Sequence, residues 1–187
     1  MSRKIVIFAS GSGSNAEQIV DYFKNSKVVE VSAFFTNNPL SGVLERGKRL
    51  GLPTVQFGQT AIKNGSVLRM LEDLNPDLIV LAGYLKLIPE SWVKAFPNRI
   101  INIHPALLPK HGGKGMYGMN VHNAVIEAGD SESGITIHFV TEQYDQGAPI
   151  FQAQVAVSPN DSAEDVQKKV QVLEHKHYPE VIEKLLS

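Results

Sequence analysis

The alternation of short β-branched runs with helical patterns constrains the fold of this chain more than any other feature. KIVIFA at residues 4–9 and VVEVSAFF at 28–35 predict two strands, and NAEQIVDYFKN at 15–25 predicts the helix between them. Further strands are predicted at 53–57, 77–83, 99–104, 134–140 and 149–157, with helices at 41–51, 66–74, 89–96, 121–129 and in the segment that begins NDSAEDV at 160. These repeated strand and helix units predict a single α/β domain with a doubly wound, mostly parallel sheet.

Composition limits the functions that such a domain can have. The chain of 187 residues carries 18 basic and 19 acidic side chains, so it lacks the basic surplus that is typical of nucleic-acid and membrane-surface binding. It has no cysteine, which excludes thiolate zinc sites and cysteine nucleophiles. The apolar run at residues 5–9 is too short for a signal-peptide core or a membrane span. We therefore expect a cytoplasmic protein with no nucleic-acid or membrane partner.

The loop GSGSNA at residues 11–16 lies where the first strand leads into the first helix. It matches the dinucleotide pattern G-x-G-x-x-A, but the second strand ends FFTNNP without the carboxylate that would hold a cofactor ribose, which argues against a nicotinamide cofactor. Small residues and free helix amides instead predict an anion site, such as one for phosphate, with Ser12, Ser14 and Asn15 as further donors. The alternative is a tight turn that Ser14 or Asn15 caps and that binds no ligand.

Two polar residues interrupt the apolar strand in INIHPALLP, residues 101–109. Side chains alternate along a strand, so Asn102 and His104 should share one face at the carboxyl end of the sheet, where ligands bind in doubly wound folds. Pro105 restrains His104 to an extended backbone. An amide donor beside an imidazole suits stabilisation of an oxyanion and movement of a proton. The alternative is that His104 is an ordinary strand-end residue whose polar atoms are satisfied.

Asp145, in the turn YDQG after the sixth strand, is the candidate carboxylate for this pair. It would reach the same edge if that strand runs in the same sense as the others, and beside His104 it would favour the imidazolium and raise the pKa of the histidine. His138 alternates with apolar neighbours, so it faces either the cleft or the core, and the core is favoured. GGKGMYG at 112–118 fits either a mobile lid or a plain surface loop.

No metal site is predicted. His175 and His177 in LEHKHYP are two residues apart on a predicted helix, so their rings point to different sides and cannot chelate one ion together.

Five segments of the chain, GSGSN, LAGYLKLIP, NIHPALLP, HFVTEQYDQG and LEHKHYP, together resemble the motif series of the folate-dependent formyltransferases, and of their glycinamide ribonucleotide branch in particular. The resemblance runs from Ile5 to Tyr178. It implies a Rossmann-like formyltransferase fold over residues 1–187, with a phosphate-binding half of about 1–100 and a catalytic, folate-binding half of about 101–187. The implied reaction moves the formyl group of the co-substrate 10-formyltetrahydrofolate directly to the amine of glycinamide ribonucleotide in de novo purine biosynthesis, without a metal.

The resemblance also implies a role for each matching residue. Asn102 would donate to the developing oxyanion, His104 would stabilise it and assist proton transfer, and Asp145 would keep His104 charged and position a water. The implied phosphate contacts are Gly13, Ser14 and Asn15, the ribose contacts are Gln171 and Glu174, and the folate contacts are Leu85, Lys86, Leu87, Ile88, Asn102, Val140 and Thr141. Lys86 stands where several relatives have arginine, which keeps the charge but loses the bidentate fork for the folate tail.

Other members of the same chemistry stay open as alternatives. Methionyl-tRNA formyltransferase and formyltetrahydrofolate hydrolase share the N-x-H-P motif, but both usually carry a further domain, for which 187 residues leave no room. A nucleotide-binding module that keeps the fold without turnover is the alternative outside enzymes. The oligomeric state is left open between monomer and homodimer.

Overall fold

The computed structural model describes residues 2–187 as an α/β protein built on one seven-stranded sheet. The strands are β1 (Arg3–Phe8), β2 (Val29–Thr36), β3 (Thr54–Gln56), β4 (Leu78–Leu81), β5 (Ile100–His104), β6 (Glu132–Phe139) and β7 (Pro149–Ala156). The helices are α1 (Ser14–Phe23), α2 (Val43–Leu50), α3 (Gln59–Lys63), α4 (Ser66–Leu74), α5 (Glu90–Ala95), α6 (Met119–Glu127) and α7 (Ala163–Leu186). The predicted doubly wound, mostly parallel sheet is confirmed.

The strand order is β3-β2-β1-β4-β5-β6-β7. The first five strands are parallel to their neighbours, whereas β6 is antiparallel to β5 and β7 is antiparallel to β6. The strand order reverses at β1 and β4, and the loops after these two strands diverge there to form a crevice at the carboxyl edge. The prediction for Asp145 assumed that β6 runs in the same sense as the other strands. This assumption is wrong.

Two apolar layers cover the sheet. One cluster packs α1, α2, α6 and α7 on one face, through buried side chains such as Ile19, Val43, Val125 and Val166. The other packs α4 and α5 on the opposite face, around Val67, Leu71 and Trp92. On that opposite face the second cluster reaches β5 only at Ile100.

Local sequence explains most element boundaries. Helix α7 begins with a capping box, in which the Ser162 side chain accepts from the Asp165 amide and the Asp165 carboxylate accepts from the Ser162 amide. Helix α3 was not predicted, because its five residues are too few to show a helical period.

Tyr178 ties α7 to the centre of the sheet. Its side chain is fully buried, and its hydroxyl donates to the carbonyl of Leu81 at 2.9 Å, with the carbonyl of Ile101 at 3.4 Å. The bond fixes α7 over the ends of β4 and β5, the strands that lead into the crevice.

We expect Tyr178→Phe to lower the free energy of unfolding by about 1 kcal/mol, because a buried carbonyl loses its donor while the ring still fills the same space. Tyr84→Phe is the matched control, since the buried Tyr84 hydroxyl has no hydrogen-bond partner among residues 2–187 and its removal should change stability little. Urea unfolding of the two variants and the wild type measures both effects. Equal losses for the two variants would contradict the assigned role of the Tyr178 hydroxyl.

Candidate active site

Four polar side chains share one face of β5 and β6. In the antiparallel register Asn102 lies opposite His138, and His104 lies opposite Thr136. Directly opposite residues on neighbouring strands point to the same side of a sheet, and so do residues two apart on one strand. The predicted pairing of Asn102 and His104 on one face is thus observed, and β6 adds two further polar groups beside them.

Thr136 directs the long loop after β5 over this face. Its hydroxyl donates to the carbonyl of Ala106 at 2.7 Å and accepts from the amide of Leu108 at 3.0 Å and from Gln152 Nε2 at 2.9 Å. The Thr136 hydroxyl thus makes three hydrogen bonds, and two of them hold residues 106 and 108. The loop from residue 105 to 118 consequently starts beside the catalytic candidates and passes back across them.

The ring of His104 has a defined tautomer. Its Nε2 lies 2.8 Å from the carbonyl oxygen of His111, and a carbonyl can only accept, so Nε2 carries the hydrogen. Its Nδ1 faces Asp145 Oδ2 at 3.5 Å. The side chain is only 3% exposed. In neutral His104, Nδ1 is therefore the nitrogen that can take up a proton.

Asp145 reaches the pair despite the antiparallel sense of β6, because the nine-residue connection between β6 and β7 folds back over the face of the sheet. Asp145 Oδ2 accepts from the amide of Gly113 at 2.9 Å, and Oδ1 lies 3.6 Å from His138 Nε2. Burial of the Asp145 carboxyl opposes its ionisation, but His138, His104 and the Gly113 amide outweigh this effect and hold its pKa below the ordinary value.

The expected rise in the pKa of His104 is not observed. Burial lowers the pKa of the imidazole below its ordinary value, and the opposing effects of the Asp145 charge and the His111 carbonyl do not compensate. Asp145 raises the pKa of His104 as expected, but in the protein without ligand burial outweighs this contact. His104 is neutral near pH 7, and Asp145 is placed to stabilise a charge that His104 acquires.

His138 lines the cavity and is also buried, with both of its ring nitrogens partnered. Its Nδ1 lies 2.8 Å from the carbonyl oxygen of Phe139 and so carries the hydrogen, which leaves Nε2 to accept from Asn102 Nδ2 at 3.2 Å. This bond orients the Asn102 amide and uses one of its two hydrogens. The second hydrogen is available to a ligand. The strand alternation that contains His138 was the signal for this position.

The loop after β1 has the form of an anion site. Gly13 adopts a left-handed backbone with φ of 78° immediately before α1, and no side chain in the described part of the sequence caps that helix. A Cβ at this position would lie 3.2 Å from Val43, so a glycine suits both the conformation and the close approach. The side-chain cap from Ser14 or Asn15 that the alternative assumed is not formed, and whether the loop binds an anion stays a prediction.

Helix α7 meets this loop from the side. Gln171 Nε2 donates to Ser14 Oγ at 3.3 Å, and Asn15 Nδ2 donates to Glu174 Oε2 at 3.0 Å. Burial raises the pKa of the Glu174 carboxyl, against the Asn15 hydrogen bond. The predicted phosphate and ribose contacts are thus brought together, although 156 residues or more separate them in sequence.

One cavity of about 450 Å³ joins all the predicted site residues. Its polar end holds the loop after β1, the face of β5 and β6, and Asp145. Its apolar end is formed by the segment after β4, where Leu85 and Leu87 are 41% and 43% exposed and Ile88 is buried, and by Val140 and Thr141. The side chains of His122, Met116 and Tyr117 also line it and were not predicted as site residues, because only the tertiary fold brings them there.

Among residues 2–187 no group of three or more histidine, aspartate or glutamate side chains is close enough to hold a metal ion. Within the same residues, each helix is too short or too polar to cross a membrane.

The fold and site define a Rossmann-like protein with an amide, an imidazole and a carboxylate in one cavity with the glycine loop after β1. Comparison with known proteins shows the family. The formyl transferase family model matches residues 3–182, so the chain belongs to the formyl transferase family.

Several curated relatives and solved structures are similar over most of this chain. The chloroplastic phosphoribosylglycinamide formyltransferase of Arabidopsis thaliana is 42% identical over 96% of the chain, and the Escherichia coli phosphoribosylglycinamide formyltransferase is 36% identical over 95% of the chain and 84% of its own length. The crystal structure of glycinamide ribonucleotide transformylase 1 from Geobacillus kaustophilus, 33% identical, covers all of both chains with a TM-score of 0.90. The chain spans 64% of the Arabidopsis relative and 61% of the Vigna unguiculata one.

Buried histidines should make the fold sensitive to acid. Burial lowers the pKa of His122, as it does for His104 and His175, so the unfolded chain takes up protons near pH 6.5 that the folded chain does not yet bind. The stability that these neutral histidines allow the folded state is fully present above pH 6.5. It is lost as the pH falls toward their lowered pKa values. Glu174, with its raised pKa, acts in the opposite sense.

We expect His122→Gln to lose less unfolding free energy than the wild type between pH 7 and pH 5, because the variant lacks one of these groups. Urea unfolding across this range measures the difference. His177→Gln is the control, since His177 pairs with Glu180 at 2.9 Å on α7, outside the cavity. An unchanged pH dependence in His122→Gln would contradict the assignment.

Proposed function

We propose that this protein transfers the formyl group of 10-formyltetrahydrofolate to the amine of glycinamide ribonucleotide. The observation that carries the proposal is the placement of Asn102, His104 and Asp145 between an anion-binding loop and an apolar segment in one cavity. The names of the relatives at 36% to 42% identity support the same reaction. The cytoplasmic location, the division of the chain near residue 100 and the oligomeric state stay predictions.

The loop after β1 and helix α7 would bind the ribonucleotide. The free amides of Ser14 and Asn15 suit the phosphate, and the helix dipole favours its charge. Gln171 and Glu174 lie beside this loop and would bind the ribose hydroxyls, Gln171 through its amide and Glu174 through its carboxylate. Anchoring the phosphate at this end places the glycinamide amine toward Asn102 and His104.

The apolar end of the cavity would bind the folate. Leu85, Leu87 and Ile88 on one side and Val140 on the other form a slot for a flat ring system. Lys86 is exposed beside this slot and would pair with the folate glutamate tail as a single charge. The slot and the anion loop therefore bring a formyl donor and an amine acceptor to the same polar face.

The polar face can stabilise each charge that the transfer creates. As the amine forms its bond to the formyl carbon, the free N–H of Asn102 donates to the developing oxyanion. The proton of the amine passes to Nδ1 of His104, and Asp145 Oδ2, 3.5 Å away, stabilises the resulting imidazolium. When the bond from the formyl carbon to the folate nitrogen breaks, His104 returns the proton to that nitrogen. Asp145 would also hold a water beside the pair.

A turnover assay with 10-formyltetrahydrofolate and glycinamide ribonucleotide tests this proposal. We expect the wild type to form tetrahydrofolate, and both His104→Ala and Asp145→Ala to be slower by on the order of 100-fold or more, because each loses part of the proton-transfer system. His177→Ala, outside the cavity, is the control and should keep the wild-type rate.

Each other outcome identifies a different error. Release of formate without an acceptor would indicate a hydrolase, and transfer only to methionyl-tRNA would indicate the tRNA branch. Binding of both substrates without turnover would indicate a non-catalytic module. Wild-type turnover with both variants at full rate would contradict the residue roles while keeping the reaction.

A further inference from the structure

We propose that the turn at residues 111–113 positions His104 and Asp145, which are called the catalytic pair below. We propose further that the contact between the His111 and Asp130 side chains holds this turn in place. The proposal rests on the proposed function, since it assigns a role in that reaction. It concerns positioning residues, because neither side chain reaches the reacting atoms.

The backbone of this turn contacts both members of the pair. The carbonyl of His111 accepts from His104 Nε2 at 2.8 Å, and the amide of Gly113 donates to Asp145 Oδ2 at 2.9 Å. One acceptor and one donor, two residues apart, thus set the tautomer of His104 and the position of the carboxylate that faces it. A shift of the turn would change both contacts together.

The turn passes in contact with Asp145. A Cβ on Gly112 would lie 3.4 Å from Cβ of Asp145, an ordinary contact, and 2.5 Å from Cδ2 of Leu108, a side-chain end that can turn aside. Gly113 has a positive φ of 98°, which glycine adopts without strain. Gly113 therefore lets the turn bend without strain at the residue whose amide donates to Asp145.

The backbone conformation of His111 is unfavourable, so a further contact is needed to hold it. Its φ of 53° lies in the left-handed region, which is unfavourable for a residue with a Cβ. The side chain supplies this contact, since His111 Nε2 donates to Asp130 Oδ2 at 2.7 Å. Asp130 follows α6 closely, and its amide donates to the carbonyl of Val125 in that helix. The turn is thereby fixed to α6, an element outside the loop.

Asp130 is suited to accept the hydrogen bond from the His111 side chain because it stays charged. Its other oxygen accepts from Lys110 Nζ at 3.0 Å. The hydrogen bonds from His111 and Lys110 hold the pKa of the Asp130 carboxyl below its ordinary value, so it stays a charged acceptor. Lys110 contacts Asp130 but has no contact with His104 or Asp145, which provides a matched control within the same loop.

We expect Asp130→Ala to lower kcat on the order of 10- to 100-fold, because a catalytic group displaced by about 1 Å loses much of its rate. KM for both substrates should change less than about twofold, since the turn contacts the catalytic pair and not the phosphate or ribose contacts. Asp130→Asn, which keeps an acceptor for His111, should recover a large part of kcat. Lys110→Ala should remain close to the wild type.

The pH profile separates positioning from loop stability. The titratable groups that face His104 are Asp145, His138, the ring of His111 and His122 on α6, and the backbone carbonyl of His111 accepts from the His104 ring. The His111 carbonyl raises the pKa of His104 by accepting from its ring, so loss of this contact should lower that pKa. The acid limb of kcat/KM should therefore move to lower pH in Asp130→Ala, and it should not move in Lys110→Ala.

The exchange rate of the His104 ring N–H proton with solvent, measured by NMR in each variant, gives a readout that does not depend on turnover. Faster exchange in Asp130→Ala than in Lys110→Ala supports the proposal, whether or not the wild type is active. A wild type that is inactive with glycinamide ribonucleotide would overturn only the proposed function. The proposal is overturned if Asp130→Ala keeps the wild-type kcat, pH profile and exchange rate. It is also overturned if Lys110→Ala reproduces its effects, which would indicate a general loosening of the loop.

Discussion

The antiparallel register between β5 and β6 is the constraint on which the candidate site depends. It sets Asn102 opposite His138 and His104 opposite Thr136, on a part of the sheet face to which the apolar cluster of α4 and α5 does not extend. Each of these groups then has a separate task. His138 orients the Asn102 amide, and Thr136 holds the start of the loop that returns over His104. A slip of β6 by one residue would turn His138 and Thr136 to the opposite face and remove their contacts with Asn102 and with the loop after β5.

The burial of this face from solvent determines which of its side chains are charged. Burial keeps His104 neutral although an ionised carboxylate faces its ring, and a backbone carbonyl fixes the hydrogen on Nε2. The result is a base with one open nitrogen, placed next to the group that would stabilise its protonated form. A histidine that was already charged would have no capacity to accept the amine proton, so the lowered pKa suits the proposed reaction better than the raised pKa expected from the Asp145 contact alone.

Local sequence patterns predicted much of the fold and part of the site. The period of two along β5 placed Asn102 and His104 together, the glycine loop after β1 indicated an anion site, and the motif resemblance supplied Gln171 and Glu174. The sense of β6 could not be predicted, because a parallel and an antiparallel strand have similar local patterns. The direction of the His104 pKa shift depends on burial and on neighbours distant in sequence, which the strand pattern does not contain. The same holds for the contact of His111 with Asp130.

The state of His104 tests the account most directly. In protein labelled with nitrogen-15 at its histidine rings, an NMR titration reports the tautomer and the pKa of each imidazole. We predict that His104 is neutral at pH 7, carries its hydrogen on Nε2 and titrates below pH 6.5. A charged ring at pH 7, or a neutral ring with the hydrogen on Nδ1, would contradict the account.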